Sequence, residues 1–118
     1  MTAHHPYFLP IAEAAALIAA KKLSPVELTR AYLDRVERLN GALHAYVRVL
    51  YDEALIAARA AEAEIMAGDR RGPLHGIPIG LKDIYDTASA PTEGGSRFCL
   101  GRTPTADATT VTPSPAPR

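Results

Sequence analysis

The stretch Gly72-Pro73-Leu74-His75-Gly76-Ile77-Pro78-Ile79-Gly80-Leu81-Lys82-Asp83 decides the fold that this sequence predicts. It indicates a turn, then a short strand over residues 77–81, with Lys82 at the end of the strand. Because side chains alternate along a strand, three apolar residues share one face: Ile77, Ile79 and Leu81. Small residues line the opposite face, from which Lys82 projects: Gly76, Pro78 and Gly80. A lysine beside a row of small residues has space next to it that other groups can fill.

Upstream of this stretch, Ser24-Pro25-Val26-Glu27 predicts the start of a helix. Ser24 serves as the N-cap, Pro25 stands at the first helical position, and Glu27 is placed to close a capping box. We expect this helix to end near Leu39, because Asn40-Gly41 supplies a residue that tolerates left-handed geometry. Four residues are predicted to face inward: Leu28, Tyr32, Val36 and Leu39.

Two further helices flank this one in the prediction. The spacing of apolar residues favours a helix over 10–22, with an inward face of Ile11, Ala14, Ala15 and Ile18. An alanine-rich helix is predicted over 51–67, stopping at Gly68, with an inward face of Leu55, Ala58, Ala61 and Ile65.

The texture changes beyond Gly72, because most of the glycines lie between Gly72 and Gly101. We expect strand and loop there. The tail is rich in proline and threonine, and each proline removes a backbone donor, so residues 112–118 are predicted to be disordered.

Composition excludes several classes of function. The 13 basic and 13 acidic side chains give a net charge of zero, so we expect neither direct nucleic-acid binding nor attraction to anionic membranes. The longest apolar run, Ala14 to Ala20, is far shorter than the ~20 residues of a membrane span. The single cysteine, Cys99, forms no intrachain disulfide and favours a reducing compartment, the cytoplasm.

Three motifs resemble the amidase signature family, which hydrolyses carboxamide C–N bonds. Residues 72–83 are similar to its G-P-L-x-G-I-P-x-x-x-K-D segment. Thr92 to Ser96 resembles the T-x-x-G-S turn that follows, and Asp107-Ala108 with Val111 resembles a D-A-x-x-V segment. The resemblance implies an α/β fold, a mixed sheet flanked by helices. Residues 1–111 would supply its N-terminal helices and first strand or strands, followed by the irregular tail.

The resemblance also implies a reaction. Family members use a Ser–cis-Ser–Lys triad, in which the lysine is the base, one serine relays the proton and the other attacks the carbonyl. Lys82 stands at the position of that lysine. An amine that acts as a base must be neutral, against an ordinary lysine pKa of about 10.4, and burial favours the neutral form. The implied substrate is a small-molecule amide, with no metal and no organic cofactor.

Both serines of that triad lie far downstream in the family, and nothing in this sequence matches them. The chain therefore predicts an N-terminal portion that is inactive alone, from a truncated or frame-shifted reading of a longer gene. Two alternatives stay open: an A-type component of a glutamyl-tRNA amidotransferase, and a non-catalytic helical module. Neither the particular amide nor the oligomeric state follows from these residues.

Other candidate residues have simpler interpretations. Ser96 follows two glycines, which is typical of a hydroxyl that satisfies a turn. His75 has no nucleophile beside it and is predicted to bond to backbone in a loop. Asp83 is expected to be structural, because adjacent strand residues face opposite ways. His4 and His5 are too few for a metal site.

Overall fold

A computed structural model describes residues 5–112 of the chain. The chain divides into two compact units, the first ending at Pro78 and the second beginning at Ile79. The first unit holds three helices, and the second consists of turns and irregular segments with a short 3-10 helix at Arg97–Cys99. Within the described range, no helix has both the length and the apolarity needed to cross a membrane.

The first helix, α1, covers Ile11–Ala19 and is shorter than the predicted 10–22. It ends because Lys21 adopts a left-handed φ of 58°. The amide of Lys22 then donates to the carbonyl of Leu17 at 2.8 Å, and the amide of Lys21 donates to that of Ile18 at 3.0 Å. These two bonds form a Schellman motif, in which glycine is the usual left-handed residue. Without a glycine to mark it, the end of α1 was missed in the sequence.

The second helix, α2, covers Pro25–Leu43. Its predicted start is confirmed, because the Ser24 hydroxyl accepts the amides of Val26 and Glu27 at 3.0 and 3.2 Å. Its predicted end is wrong, since the helix continues through Asn40-Gly41 and stops only at His44, which has a φ of 49°.

Asn40 instead joins the end of α2 to the following connector. Its side-chain oxygen accepts the Tyr46 amide at 2.8 Å, and its side-chain nitrogen donates to the Tyr46 carbonyl at 2.9 Å. The asparagine therefore acts through its side chain while its own backbone stays helical.

The third helix, α3, covers Tyr51–Ala67, as predicted, and ends at Gly68 with a φ of 95°. It packs against α2. The core of the first unit contains these buried residues: Ala14, Ile18, Leu23, Leu28 and Ile65. Four partly buried residues pack on that core: Leu9, Leu17, Tyr32 and Ile77. Two residues that were predicted to face inward are exposed instead, Ile11 and Leu39.

The strand predicted over 77–81 is wrong for the part of the chain that the structure describes. Residues 77–82 form neither helix nor strand, and the described residues contain no strand at all. A strand requires a neighbour that satisfies its backbone donors and acceptors. No described segment pairs with this one, and the Ile77 amide donates to the Leu74 carbonyl in a turn. Ile79 and Leu81 are consequently exposed.

Residues 104–112 consist of turns, and the Ala108 amide donates to the Asp86 carbonyl at 2.8 Å. The disorder predicted for 112–118 concerns mostly residues 113–118, which lie outside the described residues, as does His4.

Candidate functional site

Lys82, the candidate base, lies near the start of the second unit and is exposed. Its backbone carbonyl accepts the amide of Tyr85 at 3.1 Å, so it opens a tight turn. Within residues 5–112, no hydrogen bond or ion pair involves its side-chain nitrogen. The backbone of Lys82 is therefore held in place, while its amine is free to meet another group.

The next residue, Asp83, is joined twice to a glycine turn further along the chain. Its carboxylate oxygen Oδ1 accepts the Glu93 amide at 3.0 Å. Its backbone carbonyl accepts the Gly94 amide at 2.8 Å. Gly94 has a φ of 60°, a left-handed conformation that glycine adopts without strain. We call these three residues, Asp83, Glu93 and Gly94, the Asp83 clamp.

A buried threonine supports this clamp from the adjacent position. Thr92 is 5% exposed, and its hydroxyl donates to the Tyr85 carbonyl at 3.2 Å and lies 3.3 Å from the Thr87 amide, which donates to it. The Thr92 amide donates to the carbonyl of Arg102 at 2.9 Å. The hydroxyl thus uses both its donor and its acceptor on the segment that follows Lys82.

Asp86 and Arg102 form a two-pronged ion pair on the same unit, with nitrogen–oxygen distances of 2.8 and 3.1 Å. The hydrogen bonds from Arg102 lower the pKa of the Asp86 carboxyl below its ordinary value. Such a carboxylate stabilises the fold above its unfolded-state pKa, and the contribution is lost as pH falls through the folded-state pKa. Both side chains are about half-exposed, so solvent screening keeps that contribution small.

These residues line an open depression of about 280 Å³, which also includes residues 104–108. Lys82 does not line it. The depression is therefore separate from the candidate base.

In the first unit, His75 lies in a cluster that sequence analysis described only in part. Its ring nitrogen Nδ1 accepts the Arg71 amide at 3.1 Å, which confirms the predicted bond to backbone. Its other nitrogen, Nε2, lies 2.9 Å from the Glu64 carboxylate, to which the Arg71 guanidinium also comes within 2.8 Å. Neither approach to that oxygen has hydrogen-bond geometry, so both contacts are electrostatic. The imidazole side chain is only 6% exposed. It therefore fastens the loop after α3 onto α3.

Gly76 lies where this loop meets the first turn of α2. It has a φ of 90°, and a Cβ placed on it would lie 2.8 Å from the Cγ atom of Pro25. Only a residue without a side chain fits there, which gives this motif glycine a packing reason. The glycine thus belongs to the fold of the first unit and not to a ligand site.

The interpretation of Ser96 as a turn residue is confirmed, because its hydroxyl accepts the Phe98 amide at 3.3 Å. Cys99 is half-buried and has no disulfide partner. Among residues 5–112, no group of three or more histidine, cysteine or carboxylate side chains is arranged to hold a metal ion.

Sequence analysis did not find the Glu64–Arg71–His75 cluster or the Asp83 clamp. The signal for the clamp was present, since a threonine before two glycines marks a turn that a preceding carboxylate can satisfy. The cluster had no local signal, because Glu64 and His75 belong to different elements.

Comparison with known proteins defines the class. The amidase family profile matches residues 27–113, and the chain therefore belongs to the amidase family. The described fold, three helices followed by irregular segments, is consistent with that membership.

The chain is similar to two groups of relatives within the family. It is 48% identical over 99 residues to the A-type component of glutamyl-tRNA(Gln) amidotransferase from Acidothermus cellulolyticus, a match that covers 84% of this chain and 20% of the relative. With the corresponding protein of Thermobifida fusca it shares 43% identity over 101 residues, covering 86% and 20%. With AmiD of Mycobacterium tuberculosis H37Rv, a protein named as an amidase, it shares 44% over 103 residues, covering 87% and 22%. The chain thus spans about a fifth of the length of the curated relatives it matches.

Proposed function

We propose that this chain is the lysine-bearing N-terminal portion of an amidase that hydrolyses small-molecule carboxamides. Lys82 is the base of a Ser–cis-Ser–Lys triad, and both serines come from polypeptide that this sequence does not include. The observation that carries the proposal is the unpartnered amine of Lys82, held on a fixed backbone within the family motif.

The chemistry assigns Lys82 one task. Its neutral amine accepts a proton through the cis-serine hydroxyl as the second serine attacks the amide carbon, and the C–N bond breaks to release ammonia or an amine. Water then hydrolyses the acyl-serine ester to the acid. Burial favours the neutral amine, and Lys82 is exposed among the described residues. The proposal therefore requires further polypeptide to cover Lys82.

The same requirement extends to the fold. In the proposed enzyme, residues 77–82 pair with strands from the covering polypeptide and complete an α/β mixed sheet. Support comes from the exposure of Ile79 and Leu81, which are suited to a covered strand. A cytoplasmic location, inferred from the single cysteine, remains a prediction, and so does the assignment of residues 1–111 to one domain.

A second candidate function is that of an A-type amidotransferase component, which takes ammonia from an amide and passes it onward. The 48% identity to the Acidothermus cellulolyticus protein favours it. The two functions share the lysine and differ in what receives the ammonia. Assays of free ammonia against transferred ammonia separate them.

The proposal is tested with a chimera in which residues 1–111 replace the matching segment of AmiD from Mycobacterium tuberculosis, which we call the AmiD chimera. We expect the 118-residue chain alone to show no turnover of simple aliphatic or aromatic amides, because triad members work as a unit. The chimera should reach at least about a tenth of the kcat/KM of parent AmiD. Ammonia release, measured on all three proteins in parallel, checks both expectations.

Parent AmiD is the positive control for substrate and assay. A soluble chimera that is inactive where the parent is active would contradict the proposal. Turnover by the chain alone would also contradict it, and would make Ser96 a candidate nucleophile.

A further inference from the structure

We infer that Asp83 is a positioning residue, which fixes the direction of the Lys82 side chain by fastening the backbone beside it to Glu93 and Gly94. This inference rests on the proposed function of Lys82. It gives Asp83 no contact with the substrate.

The argument begins with what holds Lys82. A lysine side chain has four rotatable bonds and loses much rotamer freedom when it is fixed. Among the described residues, nothing bonds to its nitrogen, so this structure offers only backbone restraints. These are the Lys82–Tyr85 turn and the two bonds made by Asp83.

Asp83 makes the longer-range of these restraints. Its two acceptors meet the successive amides of Glu93 and Gly94, ten and eleven positions along the chain. A hydrogen bond from an amide to an ionised carboxylate is stronger than one between neutral groups. Thr92, buried beside the clamp, ties the Tyr85 carbonyl to the same turn. The backbone after Lys82 is therefore anchored at two points.

The charge of Asp83 is a separate possibility, and the geometry disfavours it. Its Oδ1 oxygen is occupied by the Glu93 amide, and no ion pair joins Asp83 to Lys82 within residues 5–112. The positioning role should therefore follow the hydrogen-bond acceptor and not the negative charge.

The test uses the AmiD chimera, whose amide hydrolysis depends on Lys82 under the proposed function. In Asp83→Ala we expect kcat to fall by about 10- to 100-fold with KM within about twofold, because a misplacement near 1 Å costs about 10²-fold. Asp83→Asn should keep kcat within about threefold, since its amide oxygen accepts the same bond. Asp86→Ala, an equivalent truncation on the same segment that spares the clamp, should also stay within about threefold.

Asp83→Glu separates position from charge, because it keeps the charge and moves the carboxylate outward by one methylene. We expect it to be slower than Asp83→Asn, and this comparison decides the matter even if Asp83→Ala does not fold. A fast Glu variant with a slow Asn variant would overturn the inference. So would an unchanged kcat in Asp83→Ala.

Hydrogen exchange of the chimera adds a readout of the backbone itself. Peptides covering residues 82–87 should lose protection in Asp83→Ala and keep it in Asp83→Asn. Protection that is unchanged in Asp83→Ala would overturn the inference. The two hypotheses fail separately: activity that survives Lys82→Ala refutes the proposed function, whereas activity that needs Lys82 but not Asp83 refutes only this inference.

Discussion

Replacing Lys82 by alanine in the AmiD chimera should lower kcat/KM by about 10³-fold or more. Loss of one member of a hydrolytic triad removes nearly all the benefit of the others, because the members act as a unit. Amide hydrolysis followed by ammonia release measures the effect. The effect should lie mainly in kcat, since Lys82 is proposed to move a proton and not to bind the substrate.

Two further variants make this result specific. Lys82→Arg keeps the positive charge but cannot give a neutral base, so it should be about as inactive as Lys82→Ala. Lys22→Ala is the matched control, because Lys22 is an exposed lysine just beyond α1. It should leave kcat/KM within about twofold of the chimera. If Lys82→Arg retained activity, a positive charge would be what the site needs, and the assignment of a base would be wrong.

The second large effect concerns folding: the 118-residue chain alone should show helical far-ultraviolet circular dichroism without a sharp thermal transition. Among the described residues, Ile18 and Leu28 are the largest side chains that are fully buried. Each contributes about 1.5–3 kcal/mol, whereas ordering one residue of backbone costs about 1–2 kcal/mol. Meanwhile Ile79 is 72% exposed, Leu100 69% and Phe98 fully exposed. The chain therefore buries too little apolar surface for a cooperative transition.

Circular dichroism, calorimetry and dye binding check this expectation together. The chain should bind a hydrophobic dye such as ANS and aggregate on heating, as a state with helices but loose packing does. The AmiD chimera, in which this surface is covered, is the control and should unfold in one sharp step. A monomeric chain with a sharp transition and strong exchange protection at Ile79 and Leu81 would contradict the prediction.

Local signals were enough for several elements of this protein. The start of α2 at Ser24-Pro25 and the span of α3 up to Gly68 were predictable, because capping residues and helix-breaking glycines act on their nearest neighbours. Family membership was also readable, since the motif around Lys82 keeps its residue types and spacing. The position of the candidate base came from that motif alone.

Other features depend on contacts between distant residues. α2 passes through Asn40-Gly41 because the Asn40 side chain is engaged by Tyr46, and the Asp83 clamp joins residues about ten positions apart. The segment 77–82 has an alternating pattern and yet forms no strand, since a strand needs a ladder partner that none of the described residues provides. Side-chain patterns report which face an element would bury, whereas hydrogen-bond partners depend on which segments meet in space. That is why the candidate lysine could be named from its motif, while the residues that hold it in place were visible only in the folded chain.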